Sequence, residues 1–334
     1  MELNVIWFIL LTVLFIGFFF LEGFDYGVGA LLPFLGKTDL ERRIVINTIG
    51  PVWDGNEVWM ITAGGAMFAA FPHVYATLFS GFYLALFLML VALIGRGVAF
   101  EFRSKEEYPQ WRATWDWLIF FGSVIPAVLW GVTVTNLIQG VPIDAKMHFV
   151  GSFFDLLSPY TLVGGIAFLF VFIFHGAIYL NLKTEGELRV RSRKAALTCG
   201  IVAALACLTL VGLTYAKTDL FKSAAAGGAL CGAIATFLAA YGMIRLNRSG
   251  WAFLLSGLTI LLTTAGFFLG LFPRLIVSSL NPAWSLTIHN AASSPYTLKL
   301  MTVAAFILVP VVLAYQAWSY WVFRQRITGK HLEY

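Results

Sequence analysis

Charge is what this chain has least of. Of its 334 residues only 12% are Asp, Glu, Lys or Arg, about half the share found in ordinary soluble domains. Long polar stretches are lacking as well, which leaves no material for a separate water-exposed domain, so residues 1–334 read as one unit. The three cysteines, Cys199, Cys207 and Cys231, sit in apolar segments and form no C-x-x-C pair. They are expected to be small buried hydrophobes, not a disulfide or a zinc site. Histidine is equally scarce. His73, His148 and His289 fall in loops and His331 in the tail, and His175 alone is embedded in an apolar run. A haem needs an axial ligand, and a lone histidine on an apolar helix reads first as a packing residue and only second as such a ligand. No Cys or His spacing encodes zinc, copper or an iron–sulfur cluster. The start, Met1-Glu2-Leu3-Asn4, has no basic n-region and no small-residue cleavage site follows, so residues 5–34 are expected to be a retained first helix and not a signal peptide.

What the chain does have is apolar length. Hydrophobic residues make up 60% of it and its mean hydropathy is +0.84, with segments of about 20 apolar residues recurring from end to end. These predict an all-α, polytopic transmembrane helical bundle of about nine spanning helices, at 5–34, 44–70, 75–101, 116–138, 159–182, 195–216, 223–244, 251–272 and 298–323. The loops on one side would hold Lys146, Lys217, Lys222, Arg274 and Lys299, whereas sixteen Lys and Arg fall on the other, Lys330 among them. The basic side is therefore expected to be cytoplasmic, with the N-terminus outside and the C-terminus inside. The net charge of +5 resides in those short loops and serves topology, which argues against nucleic-acid binding. Two outer loops, 139–158 and 273–297, carry Phe153, Phe154, Pro282 and Trp284 and are expected to lie on the membrane interface or on a partner. Trp111, Trp115, Trp117, Trp318 and Trp321 read as interfacial anchors. Glu101, Glu106 and Glu107, interleaved with Arg103, Lys105 and Arg112, read as a solvated charged turn.

Against this background, ionisable residues inside apolar segments stand out. The stretch Gly50-Pro51-Val52-Trp53-Asp54-Gly55-Asn56-Glu57-Val58-Trp59 puts two acids three residues apart, on one face of a helix. A charge at bilayer depth costs roughly 2.5 to 3.5 kcal/mol on insertion scales, so it needs a partner, a proton or a water-filled cavity. Pro51 should kink the helix, and Gly50 and Gly55 leave backbone open to water there. The alternative is a structural polar knot of Trp53, Asp54 and Asn56. The first helix repeats the spacing at Glu22 and Asp25, with Gly23 and Gly27 allowing another helix close beside them. Both acids could simply snorkel to the interface, and Asp25, flanked by apolar residues and glycine, is the stronger candidate for an embedded role. Apart from Lys299 at the very edge of the last span, Arg96 is the one Lys or Arg placed within a predicted span. A buried guanidinium needs a carboxylate, and Asp54 or Asp25 is the expected mate unless Arg96 snorkels as well.

These motifs carry a resemblance. Gly23-Phe24-Asp25-Tyr26-Gly27-Val28-Gly29, Glu41-Arg42-Arg43, Trp53 to Trp59, Ile61 to Ala66, Phe79 to Tyr83, Phe102 to Lys105 and Trp115-Asp116-Trp117 resemble subunit II of the cytochrome bd quinol oxidases. The match is specific over about the first 120 residues and mainly one of hydropathy beyond, helped by Gln139 to Pro142 and Thr184 to Leu188. The resemblance implies a nine-helix subunit in a bacterial or archaeal cell membrane. Its partners would be a related subunit I that holds haems b and d and oxidises quinol, often with a small single-helix subunit and with surrounding lipid. In some members a structural quinone lies against this subunit. Subunit II is then expected to bind no haem itself, to support subunit I and to offer a proton path. The family's tryptophan–aspartate pair corresponds to Trp53 and Asp54, and its buried third-helix arginine to Arg96. Glu57 stands where a relative can carry glutamine, so its case rests on sharing a face with Asp54. On this reading Asp54 is the central relay, Arg96 sets its charge balance, Asp25 is a second relay or counter-ion and Trp53 orients the carboxyl. Two rivals use the same residues differently: a proton-coupled secondary transporter or ion channel, and a purely structural scaffold. The absence of matched broken helices counts against a transporter.

Overall fold

Residues 21–32 are buried without interruption, and a helix with no exposed face belongs at the centre of a bundle. That stretch lies in α1 (Leu3–Leu35) of the computed structural model, which describes residues 2–329 and 332. Lys330 and His331 lie outside the described residues. After α1 come α2 (Asp39–Ile49), α3 (Trp53–Ala70), α4 (Pro72–Gly81), α5 (Tyr83–Phe102), α6 (Pro109–Gln139), α7 (Pro159–Lys183), α8 (Gly186–Lys217), α9 (Ala224–Arg245) and α10 (Ser249–Leu271). A two-stranded antiparallel ribbon, β1 (Arg274–Ile276) and β2 (Leu286–Thr287), precedes α11 (Pro295–Val322). The helices α3, α6, α7 and α10 pack around α1. Contact with α7 is backbone on backbone, because a Cβ on Gly27 would stand 2.0 Å from the Phe172 carbonyl oxygen and one on Gly176 would stand 2.6 Å from the Gly27 carbonyl carbon. Small residues let membrane helices approach this closely, as the Gly23/Gly27 spacing suggests.

Among the described residues eight helices are long and apolar enough to cross a membrane: α1 and α5 to α11. Nine continuous spans were expected, and the second of them, 44–70, is corrected to a broken pair. Proline has no N–H to continue the ladder and its ring displaces the carbonyl four residues back. Accordingly α2 ends with Gly50 donating to Ile46 (2.8 Å), Val52 closes a tight turn onto Ile49 (2.9 Å), and α3 restarts with Asn56 donating to Val52 (3.0 Å). The third predicted span, 75–101, also divides, at Phe82 between α4 and α5.

Each end of the bundle is closed differently. At the apolar-loop end, 139–158 and 273–297 pack on each other: Val141 donates to Val277 (3.0 Å), Ser279 to Val141 (2.9 Å) and Ser278 Oγ to Ile143 (2.8 Å). Ile143 and Leu286 beneath them are fully buried. Arg274 grips Asp219 with both terminal nitrogens at 2.9 Å, and this fork holds the Asp219 carboxyl below its usual range. At the basic end the turn read as solvated is corrected in part. Arg103 is 2% exposed and donates from Nε to Asp116 Oδ1 (2.6 Å) and from Nη2 to Asp39 Oδ1 (3.0 Å). Arg42 also reaches Asp116, and Arg112 reaches Asp39, both at 2.8 Å. A charge this buried persists only when paired, and the network staples α2, α5 and α6 together.

Helix α11 is scarcely buried, so most of its surface is apolar and uncovered: Phe306, Ile307 and Trp321 are exposed. Polar ties hold it at several levels. Trp7 Nε1 donates to Thr302 Oγ1 (3.1 Å), Trp59 Nε1 to Gln316 Oε1 (2.9 Å), and Lys183 Nζ to the Phe323 and Gln325 carbonyls (2.5 and 2.7 Å).

Candidate functional site

Three acids converge on Arg96 inside the bundle. The guanidinium is fully buried on α5, and Nη1 contacts Glu22 Oε1 on α1 and lies 3.4 Å from Glu57 Oε1 on α3. Its carbon sits 5.0 Å from the Tyr26 ring centroid and 5.6 Å from that of Phe100, an aromatic lining that suits a planar cation. Room for it comes from α6, where a Cβ on Gly122 would fall 2.5 Å from Arg96 Cβ. The glycines flanking Arg96 instead border other side chains, Gly95 that of Leu118 and Gly97 that of Trp53.

The expected partners of Arg96 are thus corrected. Asp54 or Asp25 was the anticipated mate, and the contacts are made by Glu22 and Glu57. Glu22 is 0% exposed and does not snorkel. A sequence position gives depth along a helix but not the rotation that decides which neighbour a side chain meets, and α1 is turned so that Glu22 faces α5. Asp25 is equally buried and takes a different partner: Asn56 Nδ2 donates to Asp25 Oδ2 (2.6 Å), while Tyr320 Oη on α11 donates to Asn56 Oδ1 (2.7 Å). Asp25, Glu22 and Glu57 are still near enough to act on Arg96 and on one another electrostatically.

Asp54 is placed apart from this group. It is exposed on the outer face of α3, while Glu57, on the next turn, turns inward with its side chain 17% exposed. The shared face of the two acids therefore straddles the boundary between the bundle interior and the uncovered surface. Trp53 packs its ring on Phe100 (centroids 5.0 Å apart) and over Gly97. Sequence reasoning missed Asn56 as the holder of Asp25, and its signal was present, since a buried amide in the same motif needs polar partners.

The cluster is only partly satisfied. Glu22 Oε2, Asp25 Oδ1, Tyr26 Oη and Arg96 Nε and Nη2 are buried without a hydrogen-bond partner. Orphaned polar atoms gathered at one place call for further partners, such as ordered water.

His175, the weak haem-ligand candidate, has both ring nitrogens engaged, Nδ1 with Ser256 Oγ (2.7 Å) and Nε2 with the Phe20 carbonyl (3.2 Å). Its ring stacks on Phe253 at 4.8 Å. No free nitrogen is offered to an iron, so the residue does not fit a haem ligand. Among the described residues no group of three or more His, Cys, Asp or Glu is placed to hold a metal ion. An apolar cavity of about 660 Å³ between α1, α3, α5 and α6 is lined by residues such as Phe15, Met60, Phe68 and Leu90, with no Asp, Glu, His, Lys or Arg among its lining residues.

Comparison with known proteins supplies context for this geometry. Residues 3–323 match the family model described as cytochrome bd terminal oxidase subunit II. The chain is 46% identical to the cytochrome bd ubiquinol oxidase subunit 2 of Bacillus subtilis over 98% of both chains. It is 42% identical to the cytochrome bd-I ubiquinol oxidase subunit 2 of Escherichia coli K12, covering 99% of this chain and 97% of that one. In fold it is similar to a chain of the bd oxidase from Geobacillus thermodenitrificans, with a TM-score of 0.79 over 97% of this chain and 99% of that one at 16% identity.

Proposed function

Since the chain belongs to the cytochrome bd terminal oxidase subunit II family, a membrane component of quinol oxidases, we propose that it supports a haem-bearing subunit I and conducts protons from the basic, cytoplasmic side toward it. The observation that carries this reading is the set of buried Glu22, Asp25 and Arg96 with partly buried Glu57, with unpartnered oxygens inside and Asp54 at the surface. Carboxyl groups hold and release protons, and Glu57 and Asp54 lie one turn apart across the interior boundary, so a proton on Glu57 has an acceptor on the outer face of α3. Around Asp54 that face is apolar and uncovered, with Ile61 and Phe68 exposed beside the exposed face of α11. Subunit I covers it in this reading and supplies the burial that Asp54 lacks in the single chain. The haems b and d, the quinol site and the reduction of oxygen all belong to subunit I. Arg96 compensates the charge of one ionised acid among the three, and Trp53 keys α3 to α5 so that Asp54 is presented outward.

The test is oxygen consumption by an assembled Asp54→Asn complex. Quinol oxidase turnover is expected to fall while haem content per complex stays constant. Normal turnover in the assembled variant would remove Asp54 from the path, and loss of haem would make it a subunit-docking residue instead. The transporter and channel reading has no observation in its favour.

A further inference from the structure

The charges around Arg96 do not balance if every acid is ionised. Glu22 and Asp25 from α1 and Glu57 from α3 face one guanidinium from α5. Among the described residues, the other groups packed around them bring no second cation. From α1 comes Tyr26, from α3 the amide of Asn56, from α6 Ser123 and Trp130, from α7 the satisfied His175 and Tyr179, and from α11 Tyr320. The next positive charge, Arg103 just beyond the end of α5, is already committed to Asp116 and Asp39. Two uncompensated anions at 0 to 17% exposure would be prohibitively costly in such surroundings, and buried acids escape that cost by taking a proton.

We propose that Glu22, Asp25, Glu57 and Arg96 form a charge-neutral proton store, in which Glu22 is the single anion balancing Arg96 while Asp25 and Glu57 each hold one proton at rest. Glu22 is the anion because it makes the close contact with Arg96, whose charge offsets the cost of keeping a carboxylate ionised out of water. Glu57 stands further from the guanidinium, at 3.4 Å. Asp25 makes no hydrogen bond to Arg96. Its Oδ2 accepts from Asn56, which leaves Oδ1, the orphaned oxygen, to carry the proton. Because Asn56 fixes that choice of oxygen and Tyr320 in turn fixes Asn56, both are positioning residues for the stored proton. The store stands on charge, burial and contact alone, and holds whether or not protons travel onward through Asp54.

The experiment compares the assembled complex with its Asp25→Asn, Glu57→Gln and Glu22→Gln variants. Infrared spectra in H2O and D2O follow the carbonyl stretch of protonated carboxyl groups, and melting temperature is measured alongside. Asn and Gln mimic neutral acids, so D25N and E57Q should each remove one protonated-carboxyl signal and melt close to the unmodified complex. Glu22→Gln should also lose one signal, because a remaining acid must ionise to balance Arg96, and it should melt lower, because the direct contact to the guanidinium is gone. An unchanged protonated-carboxyl band in both D25N and E57Q would overturn the store, and so would a melting loss in those two equal to that of E22Q. If an amide variant fails to assemble, Asp25→Glu and Glu57→Asp keep the carboxyl and should shift its band, and an unshifted band in both overturns the proposal equally. Expected bands together with normal turnover in D54N would leave the store standing and remove the relay.

Discussion

At the scale of single residues, burial has redistributed the roles that spacing suggested. Asp54 carries the more recognisable motif, yet Glu22 is the acid that meets Arg96 inside the bundle. Both i, i+3 acid pairs were legible in the sequence, as was the need of Arg96 for a carboxylate. Which acid would answer it was not, because that depends on how α1, α3 and α5 are rotated against one another. It also depends on Gly122, a residue on a fourth helix that no local pattern connects to Arg96. Adding one methyl group at that position, Gly122→Ala, puts an atom 2.5 Å from Arg96 Cβ and close to the Ala92 carbonyl. Overpacking of this kind costs roughly 1 to 3 kcal/mol, so the variant should unfold at lower temperature in a thermal melt of the complex. A melting curve identical to that of the unmodified protein would mean that α5 and α6 are less closely keyed than the distances indicate.

At the scale of elements, apolar length and loop charge predicted most of the helices, and the exception has a definite cause. Pro51 could be read as a kink, but whether a proline bends a membrane helix or ends it depends on whether neighbours restore the lost bonds; here Val52 closes a turn and α3 begins anew. The packing of α11 was not legible at all, since its composition is that of any membrane helix. Its attachment is by a few polar ties, and the last of them, Lys183 to the Phe323 and Gln325 carbonyls, holds the segment leaving the helix. Ile327 donates back to the Lys183 carbonyl at 2.9 Å. Lys183→Met removes the donor while preserving the stem's packing, and should speed tryptic cleavage after Arg324 and Arg326 in the folded complex. Unchanged cleavage would show that this tie does not restrain the segment.

At the scale of the whole molecule, the two ends are secured by ion pairs of different exposure, and they should respond differently to perturbation. Asp116 is 1% exposed and is the shared acceptor for Arg42 and Arg103. Removing one partner of a buried pair costs about 3 to 5 kcal/mol, because the other charge is stranded. Asp116→Asn should therefore lower thermal stability markedly at all moderate pH values. Asp219, with 40% of its side chain exposed, is screened and should matter less. The Arg274 fork keeps its folded carboxyl below the ordinary range, so its contribution is present at neutral pH and is lost as pH falls through that lowered value. Any melting advantage over Asp219→Asn should accordingly begin to shrink below about pH 4 and vanish once the pH is below the lowered folded value; an advantage that grew with acidity would contradict the assignment.

The membrane class, the subunit family and the acid-bearing helices were readable because they depend on composition and short motifs. The interior arrangement was not, because it depends on contacts between residues as far apart as Asn56 and Tyr320. That arrangement bears on the central claim, that protons for the oxidase pass through this chain. The most direct test is proton uptake per oxygen consumed by the complex reconstituted in vesicles, comparing the unmodified form with Asp25→Asn. The account predicts that the variant, with its haems intact, takes up protons and reduces oxygen far more slowly when quinol is not limiting. Uptake and oxygen reduction at the unmodified rates would contradict it, and would assign the proton path to the partner subunit.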